Sequence, residues 1–266
     1  MKRAGGYVSA EPLSAGPPRA VDRALFRQAW HDLVFLHWPV PPDRVAHLFP
    51  SGTRPDELDG RTYVGLVFFE MRDLGLGTGP AFPVVGGFTE VNVRLYSVDE
   101  QGRRGVVFLS LDCSMLLPTL AARGGWGLPY HWAEARRLVF DDRLLYTVRR
   151  RRPEGPRSRV WAATGRQIRV DDALSTFLTA RWGLHARARG RTYYWPVEHE
   201  PWGFRQVSLL SLDDSLVGSA IGTRVTEAGL ASVLYSPGLR VRFGVPRRVD
   251  APPGRGGDEG RHPGRG

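Results

Sequence analysis

Phe88-Thr-Glu-Val-Asn-Val-Arg-Leu-Tyr96 alternates between two sets of side chains along its whole length. A strand sends successive side chains to opposite faces, so Thr89, Val91, Val93 and Leu95 share one face, and Phe88, Glu90, Asn92, Arg94 and Tyr96 share the other. A second segment, Gly105 to Met115, follows the turn Asp99-Glu100-Gln101-Gly102 and is expected to pair with the first as a hairpin. It sets Ser110, Asp112 and Ser114 opposite an apolar set containing Leu109, Leu111 and Cys113. On that pairing Glu90, Asn92, Arg94, Ser110 and Asp112 gather on one wall. Such a wall is either a solvated sheet face or the lining of a charged pocket, and alternation alone leaves both open.

The same period of two runs through the rest of the chain. His31 to Val40 sets Leu33, Phe35 and His37 against Val34, Leu36 and Trp38, and Arg61 to Met71 follows the Asp59–Gly60 turn as a further strand. Other strand candidates are 135–140, 143–149, 160–170, 191–198, 206–210, 231–235 and 240–245. Helices are expected to be few and short: Pro42 to Phe49, Met115 to Arg123, one starting at Asp171 or Asp172 and carrying Leu174, Phe177, Leu178 and Trp182, and one from Asp214 to Ala220. Many strands with a few inserted helices predict a mainly β domain, an antiparallel barrel or curled sheet rather than βαβ units. Residues 1–20 and 250–266 are rich in Gly, Pro, Ser, Ala or Arg without periodicity. They are expected to be disordered tails flanking one domain over 21–249.

Composition narrows the function classes. No stretch approaches the roughly 20 apolar residues of a membrane helix, and the start of the chain has no apolar signal core. The single cysteine, Cys113, rules out an intramolecular disulfide framework and predicts a reducing, cytoplasmic setting. The net charge of +10 invites a nucleic-acid reading, but all of the basic residues except Lys2 are arginine, a bias that a GC-rich coding sequence produces by itself. The densest basic run, Arg149 to Arg152, reads as strand ends joined by a hairpin loop, and no nucleic-acid-binding signature accompanies it. No specific nucleic-acid partner and no membrane partner is therefore expected, while self-association stays open.

Several motifs fail on their context. Gly75-Leu-Gly-Thr-Gly79 is followed by Pro80 and Pro83 rather than by a helix whose N–H groups could meet phosphate, and is expected to be a surface loop. Walker A, nucleophile-elbow and HExxH patterns are absent from the sequence. His199 lies between Glu198 and Glu200, whose carboxylates would point away from the imidazole in a strand, so no metal is expected, nor any cofactor.

Four segments carry a resemblance to a known family: Trp30-His-Asp-Leu-Val-Phe-Leu-His-Trp-Pro39, Leu58-Asp-Gly-Arg-Thr-Tyr-Val-Gly65, Phe88-Thr-Glu-Val-Asn-Val-Arg94 and Gly127-Leu-Pro-Tyr-His131. They resemble the YqjF-like family, whose function is unknown, and weaker matches at Phe177-Leu-Thr179 and His199-Glu-Pro-Trp202 extend the likeness over most of residues 26–249. That family is similar in fold to acetoacetate decarboxylase-like proteins. The resemblance implies a cone-shaped antiparallel barrel around a polar cavity, with Glu90, Asn92 and Arg94 facing inward. Two departures matter. Acetoacetate decarboxylases form a Schiff base on a lysine that follows a proline, whereas the comparable Leu128-Pro129-Tyr130-His131 offers a phenol and an imidazole, and Lys2 is the only lysine. Ala180, Trp182 and His185 also stand where the family leads one to expect an acidic residue and tyrosines.

Two functions fit these residues. In the first, an enzyme acts on a small oxo- or hydroxy-carboxylate: Arg94 holds the carboxylate with Asn92, Ser110 and Asp112 beside it, Glu90 is the general base, and Tyr130 or His131 supplies the acid. In the second, the same residues serve a barrel that binds a small molecule without catalysis. In either case Glu90 and Asp112 are the expected resting partners of Arg94. The residue that faces Glu90 in space separates the two functions.

Overall fold

The computed structural model describes residues 8–82, 87–115 and 127–249. The deciding segment lies in β4 (Gly87–Asp99), where every residue after Gly87 is buried. Both of its faces are therefore interior, which disposes of the solvated-face reading. Its neighbours are β3 (Thr62–Leu76) and β5 (Arg104–Cys113), and β1 (Ala24–Val40) lies beyond β3. The short β2 (Thr53–Pro55) pairs with the far end of β4.

The remaining strands are β6 (Tyr130–Phe140), β7 (Arg143–Arg150), β8 (Arg157–Ile168), β9 (Gly183–Ala188), β10 (Arg191–His199), β11 (Phe204–Asp214), β12 (Ser232–Gly244) and β13 (Arg247–Arg248). Together they form one sheet that closes on itself by two routes. One ring runs β5–β6–β7–β8–β11–β12–β1–β3–β4 and back to β5. The other leaves β5 through β9 and β10 and rejoins at β12. The expected mainly β fold is therefore present, and its closure is consistent with a cone-shaped barrel. Pairing is antiparallel except at β5, which runs parallel to β6 and to β9.

Sharing β1, β3, β4 and β5 between two rings explains why their central residues are buried on both faces; β12, also shared, is buried on both faces only in its first half. Val34, Leu36, Leu66, Phe68, Val91, Val93 and Leu95 point into the larger ring and pack with Tyr146, Val148, Val160 and Ala162 as a filled core. Leu33, Phe35, Val67, Phe69 and Phe88 point into the other ring. Alternation in β1 and β4 thus separates two interiors rather than inside from outside.

Several local expectations need revision. The segments 231–235 and 240–245 are one strand, β12, which bends at Gly238 (φ 137°), where a Cβ would lie 2.2 Å from the Trp30 carbonyl oxygen. Among the described residues the α-helices are α1 (Pro42–Val45), α2 (Ala173–Thr179) and α3 (Leu216–Ile221). The helix expected over Met115 to Arg123 lies outside the described residues except at its start. Helix α2 begins at Asp172, whose carboxylate accepts from Ser175 N at 2.8 Å, but it ends at Thr179, so Trp182 is not on it. The glycine segment 75–79 is the end of β3 and a tight turn, with Gly75 so close to Pro80 that a Cβ would meet the Pro80 carbonyl oxygen at 2.8 Å.

Of the N-terminal stretch read as disordered, the described part lies against the domain. Glu11 N donates to Gly102 O at 2.9 Å, Arg104 Nε donates to Glu11 O at 2.7 Å, and Trp182 Nε1 donates to Ser14 O at 3.0 Å.

Candidate functional site

The smaller ring encloses a cavity of about 670 Å³. Phe88, Glu90, Asn92 and Arg94 of β4 line it, beside Val67, Phe69 and Met71 of the neighbouring β3 and Trp30, Leu33 and Phe35 of β1 beyond. Leu184 of β9, Trp195 of β10 and Phe243 of β12 complete the wall. Glu90, Asn92 and Arg94 are all buried, at 2%, 3% and 8% exposure. They face one cavity, but its described wall is otherwise predominantly apolar, not the polar cavity that the resemblance implied.

Ser110 and Asp112 do not. The hairpin register set at the Asp99–Gly102 turn pairs Ser97 with Gly105, Leu95 with Val107 and Arg94 with Phe108. Continued without interruption, it would put Ser110 opposite Asn92 and Asp112 opposite Glu90. A bulge between Val93 and Arg94 shifts the pairing by one residue, so Val93 faces Ser110 and Val91 faces Asp112. A slip of one residue turns every side chain beyond it to the other face. Phe108, before the bulge, and Leu111, beyond it, both line the cavity, and Ser110 and Asp112 face away from it. Asp112 instead accepts from Arg150 of β7, Nε at 2.6 Å and Nη2 at 3.0 Å, in a buried two-pronged ion pair. One arginine of the run read as a solvated loop is thus interior.

The residue facing Glu90 is Tyr130, whose Oη donates to Glu90 Oε2 at 2.9 Å. Tyr130 opens β6 and reaches over β5 to do so. His131, the next residue, has its backbone opposite Asp112 and does not line the cavity, so of these two residues only Tyr130 faces Glu90. Burial pushes the Glu90 carboxyl up to about 8, against the downward pull of the Tyr130 hydrogen bond and with a further push from Asp112. At neutral pH Glu90 therefore holds a proton. Burial, followed by the charge of Glu90, raises the Tyr130 phenol well above its ordinary range.

Arg94 pairs with neither of its expected partners. Among the described residues no carboxylate bonds its guanidinium, and its buried Nε has no hydrogen-bond acceptor. Its Cζ lies 5.5 Å from the Phe35 ring centre and 5.7 Å from that of Tyr96. The Asn92 Oδ1 is likewise buried without a donor. Beside Arg94, across Gly65, stands His37, fully buried with neither ring nitrogen bonded. Burial, then the charge of Arg94, pulls the His37 imidazole well below its ordinary range, so it is neutral. The sequence reading placed His37 on the same face as Phe35 but assigned it no role, because its link to Arg94 runs across three strands.

A second constellation resembles a hydrolase triad. Ser97 Oγ lies 2.8 Å from His185 Nδ1, and His185 Nε2 lies 3.3 Å from Asp99 Oδ2. Ser97 has no exposed surface for a substrate to approach. Asp99 meanwhile holds the β4–β5 turn by accepting from Gln101 N at 2.9 Å and Arg103 N at 3.0 Å. The group is structural. His199 is also structural: it donates from Nδ1 to the Glu200 carbonyl at 2.7 Å and stacks on Trp182. Among the described residues no three His, Cys, Asp or Glu side chains gather in a way that could hold a metal ion.

Comparison with known proteins matches this arrangement to one family and one fold. A family model described as an uncharacterized conserved protein, DUF2071, matches residues 27–240. The uncharacterized protein YqjF of Bacillus subtilis is 31% identical over 183 residues, covering 67% of this chain and 74% of YqjF. Among solved structures, the enduracididine biosynthesis enzyme MppR in complex with pyruvate superposes with a TM-score of 0.59 at 15% identity, over 92% of this chain and 98% of that one. The acetoacetate decarboxylase of Legionella pneumophila gives 0.57 at 15% identity, over 92% and 93%. At such identities the solved structures speak for the fold, which is acetoacetate decarboxylase-like. The family match over most of the chain and the identity to YqjF go further: the chain belongs to the DUF2071 family.

Proposed function

We propose that the cavity is a lysine-independent acid–base site for an oxo- or hydroxy-carboxylate. The observation that carries this reading is the Tyr130–Glu90 hydrogen bond in a cavity whose arginine has no carboxylate of its own among the described residues. A buried guanidinium needs oxygen acceptors, and a substrate carboxylate supplies two in the geometry of its fork. Glu90, protonated at neutral pH, is an acid first and a base second. In a dehydration its proton leaves with the departing hydroxyl as water, and the freed carboxylate then removes the proton on the neighbouring carbon, so Glu90 ends as it began. In keto–enol exchange the same proton goes to the oxo oxygen and the freed carboxylate takes a proton from the neighbouring carbon, which leaves the enol and a protonated Glu90. Tyr130 holds Glu90 in place and donates to the carboxylate form when it appears. The substrate does not have to pull Arg94 away from Glu90 to free a base, since the two are not paired. MppR has been solved with pyruvate, an oxo acid, and shares the fold.

The predominantly apolar wall favours a second reading, a binding protein that retains the acid without transforming it. Proton exchange separates the two. In D2O the parent protein should wash deuterium into the methyl group of pyruvate or the methylene of 2-oxobutanoate, with Glu90→Gln slower by about 10² or more. Arg94→Met should abolish the thermal stabilisation that these acids confer. Equal exchange rates in parent and Glu90→Gln, with binding intact, would leave the binding protein as the answer.

A further inference from the structure

Formal charge is scarce in this cavity. Among the described residues Arg94 and Glu90 are the only charged side chains on its wall, and Glu90 is protonated near neutral pH. Gln28 already takes the Trp30 indole N–H at 2.8 Å. The rest of the described wall is almost wholly apolar: Leu25 and Phe26 extend the β1 surface, Leu74 and Leu76 that of β3, and Phe82 and Leu128 add to it from beyond β3 and just before β6. A ligand that offers Arg94 one carboxylate meets hydrocarbon nearly everywhere else.

The cavity is also long. Its β3 residues run from Val67 to Leu76, about 30 Å of strand at ~3.3 Å per residue. Leu76 and Phe82 at that end are 50% and 38% exposed, so apolar surface at the end remote from Arg94 reaches solvent. A volume of about 670 Å³ lies within the range that holds drug-sized ligands, ~300–1,000 Å³. A three- or four-carbon acid leaves most of that wall uncovered.

We infer that the ligand is an amphipathic monocarboxylic acid, with its carboxylate on Arg94 and an apolar body of medium-chain acyl size lying along β1 and β3 towards Leu76. A second carboxylate or a phosphate dianion is disfavoured, because among the described residues of the wall its extra charge would face hydrocarbon with no second cation to pair it. The inference rests on the Arg94 carboxylate seat proposed above and goes beyond it in assigning the body of the ligand.

The test is binding of straight-chain monocarboxylates from butanoate to dodecanoate to the full-length protein at pH 7, by calorimetry, with pyruvate, sebacate and 1-decanol as comparators. Each methylene buried on the wall should tighten Kd about fourfold until the wall is covered. Decanoate should bind at least tenfold more tightly than sebacate or pyruvate. Arg94→Met should cost decanoate more than tenfold while leaving 1-decanol within about twofold, and Arg94→Lys should restore part of the loss, which separates a lost charge from a lost fold. Met71→Glu, a charge on the tail wall, should weaken decanoate at least tenfold and spare pyruvate. If pyruvate and butanoate bind as tightly as decanoate, the small-acid site stands and the long-ligand inference is overturned. If no carboxylate of any length binds, both are overturned.

Discussion

Tyr130 Oη donates to Glu90 Oε2 at 2.9 Å, so a residue at the start of β6 reaches over β5 to a carboxyl group near the start of β4. The hydrogen bond favours the charged carboxylate and works against burial, which raises the Glu90 carboxyl to about 8. Tyr130→Phe removes that pull and leaves the desolvation in place. Glu90 should then titrate above about 8, read from its side-chain carboxyl 13C shift across a pH series. A Glu90 titrating near the ordinary glutamate value in either protein would contradict its burial.

The same shift makes stability depend on pH. The unfolded chain gives up the Glu90 proton near 4.5 and the folded protein only near 8, so between those values the folded state binds the extra proton. Stability from this group is complete below 4.5 and is lost as pH rises towards 8, at about 1.4 kcal/mol per pH unit. Glu90→Gln cannot ionise. The unfolding free energy of the parent minus that of Glu90→Gln should decline across this window and flatten above it, as chemical denaturation would reveal.

Asp112 and Arg150 form a buried pair away from the cavity. Asp112→Ala leaves a buried guanidinium without its partner and should cost about 3–5 kcal/mol, whereas Asp112→Leu combined with Arg150→Met should recover most of that loss. Carboxylate binding at Arg94 should survive in the double variant. Loss of binding with unchanged stability would mean that Asp112 faces the ligand after all.

Burial pulls the His199 imidazole down to about 4 from 6.5, so in that interval the unfolded chain takes up a proton that the folded protein refuses. Stability should fall as pH drops from 6.5 to 4. His199→Phe keeps an aromatic ring against Trp182 and cannot titrate; its melting temperature should decline less steeply over the same acid limb.

Truncation to Val21 removes the Glu11 and Ser14 carbonyls that accept from Arg104 Nε and Trp182 Nε1. The loss of these contacts should cost roughly 1–3 kcal/mol, since Trp182 and Arg104 are left to find water at a partly buried surface. An unchanged melting temperature after truncation would show that this stretch contributes nothing.

Much of the architecture is legible in residue order because strand geometry is local. Alternation in 88–96 assigns Glu90, Asn92 and Arg94 to one face and Val91, Val93 and Leu95 to the other whatever the rest of the chain does, and the structure keeps both sets together. The cap at Asp172 is equally local, one carboxylate and one N–H three residues on. The absence of any lysine but Lys2 also bears directly on chemistry, since an imine needs an amine.

Only the tertiary structure decided what each face meets. Period two distinguishes two faces but cannot say that both are interior, because that follows from β1, β3 and β4 belonging to two rings at once. Nor does it reveal the bulge between Val93 and Arg94, which turned Ser110 and Asp112 to the far face and gave Asp112 to Arg150. A bulge inserts one residue at little local cost, and its position is settled by how well the strands beyond it pack. Tyr130 and Glu90 are forty residues apart in the chain, with β5 between them in the sheet. Their contact depends on β6 entering parallel to β5, a long-range pairing that the alternation of neither segment specifies.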